Sequence, residues 1–275
     1  MNVVFEVPTS LSPSRVEKFT SCPMAFRFAS IEKLPEPPSL HTTRGSIVHR
    51  ALELAFGHPP LERTPDRFHR TLDAALAEFA EHPDLQLLAL TEAGYGQLVA
   101  ECRDLVDSYL RMEDPTAVRP IGLELRLEAP VDSLRLRGVI DRLELRDGQL
   151  VVTDYKTGRA PSANWEQKSL AGVHFYSFLC HAVFGRRPAA IRLMYLKTGE
   201  TIEATPSERS VSFLATRTTA VWRAIEQACQ RGDFRPRPGA LCASCAYQAW
   251  CPSFGGDPDR AAAELGATPV SALAS

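Results

Sequence analysis

Residues 138–158 read GVIDRLELRDGQLVVTDYKTG. Two apolar-rich runs flank Asp147-Gly148, a dipeptide suited to the two-residue loop of a β-hairpin. With that loop, Arg146 faces Gln149. Counting outward sets Leu143 against Val152 and Asp141 against Asp154. Side chains alternate between the faces of a strand. Leu143, Leu145, Leu150 and Val152 therefore share the aspartates' face as its core, and Lys156 joins them two residues beyond Asp154. Opposed carboxylates repel, with Cβ atoms about 4.5–5.5 Å apart. A solvated strand end with a compensating lysine is the bland alternative. Three charges on a core-facing side point instead to a divalent ion such as Mg²⁺ or Mn²⁺ between the carboxylates. Lys156 offers donors only, so its place is beside the ion, on water or on developing charge.

Around the hairpin, residues 121–130, IGLELRLEAP, alternate Leu123, Leu125 and Leu127 with Glu124, Arg126 and Glu128, a strand pattern. Residues 190–198, AIRLMYLKT, read as another strand between helices at about 165–184 and 211–231. Near the start, Ser12 caps a helix with Pro13 at its first position, running from Ser14 to about Ala29 and carrying Cys22. A second helix, 45–56, places Val48, Leu52 and Phe56 on one stripe. Residues 57–118 read as a helical insertion, with stripes Phe68, Leu72, Leu76, Phe79 and Leu98, Cys102, Leu105, Tyr109. The expected organisation is one domain over 1–255, in which a cysteine-rich segment, 232–255, closes on Cys22. Residues 256–275, rich in Ala, Gly and Pro, are expected as a flexible tail.

The chain has 275 residues, of which 44% are hydrophobic, enough for a core without disulfide staples. Its net charge of -2 gives no global attraction to nucleic acid, so a phosphate backbone must meet a local patch. Residues 61–115 hold 12 acidic and 5 basic side chains, whereas 186–250 hold 10 basic and 5 acidic, the better DNA-facing side. No apolar run has membrane-span length, and the N-terminus lacks a secretory pattern. A cytoplasmic setting with reduced cysteines is expected, and seven cysteines cannot all pair.

Cys242, Cys245 and Cys251 stand close in sequence, and Cys22 precedes Pro23 far upstream. Cys102, Cys180 and Cys229 fall in helical patterns and read as small core residues. The remaining four match the number a closed metal centre needs, and zinc and iron–sulfur are both open on count alone. Tyr247 and Trp250 would shield such a centre or simply pack.

Gly138-Val139-Ile140-Asp141 with Asp154-Tyr155-Lys156-Thr157-Gly158 resembles the PD-(D/E)xK nuclease signature. Gly45 to His49 matches the GxxxH of its RecB-type branch, which includes the AddB nuclease and CRISPR-associated adaptation exonucleases. The likeness runs from about Ser12 to Phe254. It implies an α/β fold, a restriction-endonuclease-like mixed sheet flanked by helices, with a helical insertion and a cysteine-rich C-terminal staple. It makes His49 a metal ligand or phosphate contact, where the residues alone allow a polar position on an amphipathic helix. It offers Glu124 as a further ligand, where an exposed strand face would serve equally.

The same resemblance implies a four-iron, four-sulfur cluster on Cys22, Cys242, Cys245 and Cys251. The family's QxxxY is incomplete here: Tyr176 fits, or packs as a core aromatic, but Gly172 replaces the Gln, with Lys168 or His174 as substitutes for DNA contact. The implied activity is a metal-dependent deoxyribonuclease, an exonuclease on single strands or DNA ends in repair or recombination. The alternative is a nuclease-like DNA-binding subunit of a helicase or repair complex. No GxxxxGK[ST] loop occurs, so a helicase motor would be a separate partner.

Overall fold

Asp147 and Gly148 have φ of 49° and 75°, the left-handed pair that a type I′ hairpin turn requires. They join β2 (Leu134–Arg146) to β3 (Gln149–Lys156), flanked by β1 (Pro120–Val131), β4 (Ala190–Tyr195) and β5 (Glu200–Ala204). The register is the one the loop dictates, from Arg146↔Gln149 through Leu143↔Val152 to Arg142↔Thr153. The computed structural model describes residues 4–131, 134–161 and 171–267. Its sheet has the order β1-β2-β3-β4-β5. β3 and β4 are parallel, and β4 and β5 antiparallel, so the sheet is mixed. β5 was not foreseen in the sequence. Its polar ETIEA carries only a weak strand signal, and the turn ahead of it ends on Gly199 at φ 68°.

Among the described residues the α-helices are α1 (Pro13–Ser21), α2 (Pro23–Phe26), α3 (Leu40–Phe56), α4 (Pro65–Ala80), α5 (Pro83–Leu87), α6 (Glu92–Met112), α7 (Ala171–Phe184), α8 (Glu208–Arg231) and α9 (Ala261–Ala267). α7 lies in the crossover that parallel pairing of β3 and β4 demands. Among the described residues, no helix is long and apolar enough to cross a membrane. The chain divides into two compact units: Pro38–Leu127 with Gly138–Val211, and Met1–Pro37 with Glu128–Arg137 and Ser212–Ser275.

In the first unit, side chains cap the helices where the sequence places them: Ser39 with Thr42 on α3, Thr64 before Pro65 on α4, and Thr91 on α6. Val48, Leu52 and Phe56 pack with Phe68, Leu72, Leu98, Cys102 and Tyr109 in one buried cluster that reaches Tyr155 and Met194 of the sheet. Each such side chain contributes roughly 1.5–3 kcal/mol by leaving water. Phe68 stacks on Tyr109 at 5.5 Å, and Tyr109 meets Tyr155 edge to face at 5.8 Å.

The hairpin departs from its expected two faces. Leu143, Leu150 and Val152 are core, but Leu145, beside the turn, is 42% exposed. The opposite face is also buried and it is charged. Arg142 is 0% exposed. It pairs with Glu113 and with Glu144 at 3.1 Å, and donates to Tyr155 Oη at 2.8 Å and Thr153 Oγ1 at 3.2 Å. Arg192 reaches Glu113 at 3.0 Å. Burial alone would raise the Glu113 carboxyl, but Arg142 and Arg192 hold it below the usual range. Breaking such a pair from one side strands a buried charge, at about 3–5 kcal/mol.

In the second unit, Ser12 caps α1 as expected, but the helix does not run on to Ala29. Cys22 breaks it with extended φ -157° and ψ 106°. The cause is Pro23, whose ring disfavours a helical residue before it. The tail also differs from expectation. Residues 258–260 form a 3₁₀ turn and α9 follows, burying Ala261 and Leu265. Asp259 pairs with Arg27 at 2.8 Å, and Glu264 accepts from Trp250 Nε1 at 2.7 Å.

Candidate active site and cysteine centre

The site grows from the place where the hairpin ladder ends. The next hydrogen-bonded pair after Arg142↔Thr153 would be Ile140 and Tyr155. The Tyr155 N–H donates to Asp141 Oδ2 at 2.7 Å, so the side chain of Asp141 takes a ladder donor and is held by it. Burial and the neighbouring charge of Asp154 push the Asp141 carboxyl up, against His49 and the Tyr155 N–H. Asp154 is 3% exposed. Its Oδ1 accepts from Tyr176 Oη at 2.9 Å. Its Oδ2 lies 2.6 Å from Lys156 Nζ, but without hydrogen-bond alignment, so this buried oxygen has no hydrogen-bond partner. Burial depresses the Lys156 ammonium, but Asp154 reverses this and keeps it charged.

His49 arrives on α3. A Cβ at Gly45, one turn earlier, would lie 3.2 Å from Thr157 Oγ1. The glycine therefore lets α3 approach the end of β3, and the spacing of four carries His49 to the same face. His49 Nε2 is 2.9 Å from the Tyr155 carbonyl oxygen, and Nδ1 lies 3.6 Å from Asp141 Oδ2 and 3.8 Å from Glu124 Oε1. Burial would lower the imidazole pKa, but Glu124, Asp141 and Asp154 outweigh it and raise it to about 9.

Glu124 departs from the even alternation read in β1. Its φ is 43°, a left-handed value that costs a non-glycine residue roughly 1–2 kcal/mol. The pleat breaks there, leaving Leu123 and Leu125 only half-buried, and the carboxylate stands at His49.

One atom each from His49, Glu124 and Asp141 lies within 4.8 Å of the others. Ligands of an octahedral ion with 2.1 Å bonds stand about 3.0 or 4.2 Å apart, so the trio has the dimensions of a hard-ion site. The donors are two carboxylates and one imidazole, and Asp154 adds a buried carboxylate beside them, paired with Lys156. These residues fit a divalent metal. Asp154 stands beside the trio rather than within it. Tyr176, read from sequence as a DNA contact, touches Asp154 directly. Lys168 lies outside the described residues. A helical spacing of 22 positions downstream gave no sequence signal for the Tyr176–Asp154 bond, nor did β1 announce its kink.

The second unit brings the four singled-out cysteines together. Cys22, Cys242, Cys245 and Cys251 line one pocket with Met24, Phe28 and Tyr247. Cys22 Sγ accepts from the Arg237 N–H at 3.5 Å, and Cys242 Sγ from the Gly239 N–H at 3.3 Å. Burial, and then the other three thiols, push the Cys245 thiol up. Cys102, Cys180 and Cys229 are fully buried in their helices.

The chain is 28% identical over 174 residues to the Gene 69 protein of Mycobacterium phage D29, covering 56% of this chain and 65% of that protein. It is 25% identical over 288 aligned positions to the Gene 69 protein of Mycobacterium phage L5, covering 88% of this chain and 96% of that one. In fold it is similar to the crystal structure of a candidate exonuclease from Eubacterium rectale. The TM-score is 0.59 at 10% identity, over 87% of this chain and 88% of the other. The model of the PD-(D/E)XK nuclease superfamily matches residues 10–252, nearly all of the chain that carries the hairpin, the trio and the cysteines. The chain belongs to the PD-(D/E)XK nuclease superfamily.

Proposed function

We propose that this protein is a metal-dependent deoxyribonuclease of the RecB-type branch, acting as an exonuclease on single-stranded DNA or DNA ends in repair or recombination. The observation that carries the reading is the convergence of His49, Glu124 and Asp141 within 4.8 Å, beside an Asp154–Lys156 pair at 2.6 Å. Nucleases of this superfamily use divalent metals. Mg²⁺ or Mn²⁺ would be held by His49, Asp141 and Glu124, with Asp154 as the further carboxylate. When bound, the ion polarises the phosphoryl oxygen and acidifies a water.

The chain's own groups supply the rest. Lys156 Nζ, fixed by Asp154, presents positive charge where the phosphate gains negative charge. Tyr176 holds Oδ1 of Asp154, which keeps Oδ2 turned toward Lys156 and the ion. The preference for ends and single strands follows the resemblance to RecB-type motifs, Gly45 to His49 and Asp154 to Lys156. A separate helicase partner fits a chain without a phosphate loop of its own.

The same reading gives Cys22, Cys242, Cys245 and Cys251 a four-iron, four-sulfur cluster. Four thiols lining one pocket support it. Such a cluster would tie the N-terminal helices to the segment after α8. The test is digestion of end-labelled single-stranded, duplex and circular DNA with and without Mg²⁺ or Mn²⁺. Metal-dependent shortening of linear substrates from an end, with circles spared, is expected. Binding without cleavage would favour the DNA-holding subunit.

A further inference from the structure

The outer face of α8 is exposed and positively charged. From Ser212 to Arg231, all within the second unit, Leu214, Trp222, Ile225 and Cys229 make the buried side of the helix. With 3.6 residues per turn, Phe213, Arg217, Ala220, Ala224, Gln227 and Arg231 form one stripe on the opposite side, and all six are exposed. Phe213 is 61% exposed, and Arg223 flanks the stripe. The stretch holds one acid, Glu226, which is half-buried and off the stripe. Among the described residues, Arg217, Arg223 and Arg231 have no ion pair or hydrogen bond. The surface arginines of α3, α4 and α6 differ: Arg50, Arg67, Arg70 and Arg103 are each tied to an acid.

Three arginines without acidic partners leave a positive field that suits a partner with repeated negative charge. The exposed ring of Phe213 suits a flat apolar surface, which every nucleobase offers. A duplex hides those faces in its stack, so the pairing of arginines with an aromatic favours a single strand. Ala220 and Ala224 leave the helix surface open between the charges. From Phe213 to Arg231 the stripe is about 27 Å long at 1.5 Å per residue, the reach of several nucleotides. We propose, on the reading that the chain acts on DNA, that α8 is a strand-holding surface, with Arg217, Arg223 and Arg231 on phosphates and Phe213 stacked on a base of single-stranded DNA. This surface shares no residue with the metal trio, so holding and cleavage are separable.

Fluorescence anisotropy of a labelled oligothymidylate, titrated with the full chain in EDTA across a salt series, tests this. Replacing Arg217, Arg223 and Arg231 together by Ala should flatten the slope of log affinity against log salt by about 2, at roughly 0.7 per phosphate contact on a single strand. Replacing the same three by Lys should keep the slope. Phe213→Ala should keep the slope and weaken binding about 5–150-fold, the cost of one lost base stack. Arg70→Ala, on the insertion, should bind as the parent does. All the substituted side chains are exposed, so melting temperatures should hold. Mn²⁺-dependent hydrolysis of the p-nitrophenyl ester of thymidine 5′-monophosphate, a one-nucleotide substrate, should stay within about twofold of the parent in every variant.

Parental affinity and salt slope in the triple Ala variant overturn the proposal and leave the nuclease reading intact. So does tighter binding of the parent to phosphatidylserine vesicles than to the oligonucleotide, which would make the stripe a membrane-facing one. The converse failure is equally distinct. A parent that loses DNA affinity on these substitutions but hydrolyses neither the ester nor DNA with Mn²⁺ supports the strand-holding surface and refutes cleavage.

Discussion

Glu124 reaches within 3.8 Å of His49 Nδ1 from a backbone at φ 43°. Strain of this kind persists where the surroundings impose it, and here it turns a carboxylate into an acidic cluster. Ordinarily alanine is the better strand residue. At this position glycine should win, because only glycine takes a positive φ freely. Glu124→Gly should be more stable than Glu124→Ala by about 1 kcal/mol in calorimetry, while both lose metal affinity. The opposite order would show that the kink is not fixed by the fold.

The metal-free protein should weaken as pH rises. His49 binds its proton more tightly folded than unfolded, with a pKa near 9 against 6.5. That stabilisation is full below about 6.5, is lost as pH rises through about 9, and amounts to at most about 3 kcal/mol. Asp141 is also raised, so its ionisation acts in the same direction. Melting temperature without metal should therefore fall across this window. Saturating Mn²⁺ should cancel the fall, since the ion replaces the protons, and Mn²⁺ affinity should rise with pH. A flat metal-free profile would mean that the cluster is not coupled as described.

Lys156→Met should separate binding from chemistry. The ammonium cannot ligate a cation, so metal affinity should stay within a few fold of the parent. Cleavage at saturating metal should drop by about 10²–10³, the usual cost of one positioned charge contact. Loss of metal affinity in parallel with rate would assign Lys156 to holding the carboxylates alone.

The hairpin is legible because a two-residue loop leaves one register, which the structure keeps as far as Arg142↔Thr153, beyond which the Asp141 side chain takes the Tyr155 N–H. His49 was legible through Gly45, whose spacing of four is a helical face. Much else lay in contacts between distant segments. Arg142 reads as one polar residue of an alternating strand, and it is Glu113, Glu144, Thr153 and Tyr155 around it that make its complete burial tolerable. Leu145 reads as core but sits beside the turn and is 42% exposed, whereas Leu143, two residues further in, is buried. Cys22 was placed in a continuous helix, although Pro23 after it is a local reason for the break that brings its thiol to the cysteine cavity. Ala261 and Leu265 lacked a recognisable period in a short, small-residue segment, so α9 went unread.

Cys22→Ser should destroy the cysteine centre, and Cys102→Ser should leave it intact. Cys22 lines the cavity with Cys242, Cys245 and Cys251, while Cys102 is buried on α6. Anaerobically purified parent should be brown and contain iron and sulfide, with absorption near about 400 nm. Full iron content in the Cys22 variant would break the proposed staple. One zinc per chain and no colour would keep the ligands but replace the cluster.

The most direct measurement is single-turnover cleavage of end-labelled single-stranded DNA by the parent and by Asp141→Asn across a Mn²⁺ titration. The substitution keeps shape but exchanges a carboxylate oxygen, now held by the Tyr155 N–H and 3.6 Å from His49 Nδ1, for an amide. The account predicts metal-dependent cleavage in the parent and at least about a 10²-fold loss in the variant at parental saturating Mn²⁺. Cleavage without divalent ions, or at the parental rate in Asp141→Asn, would contradict it.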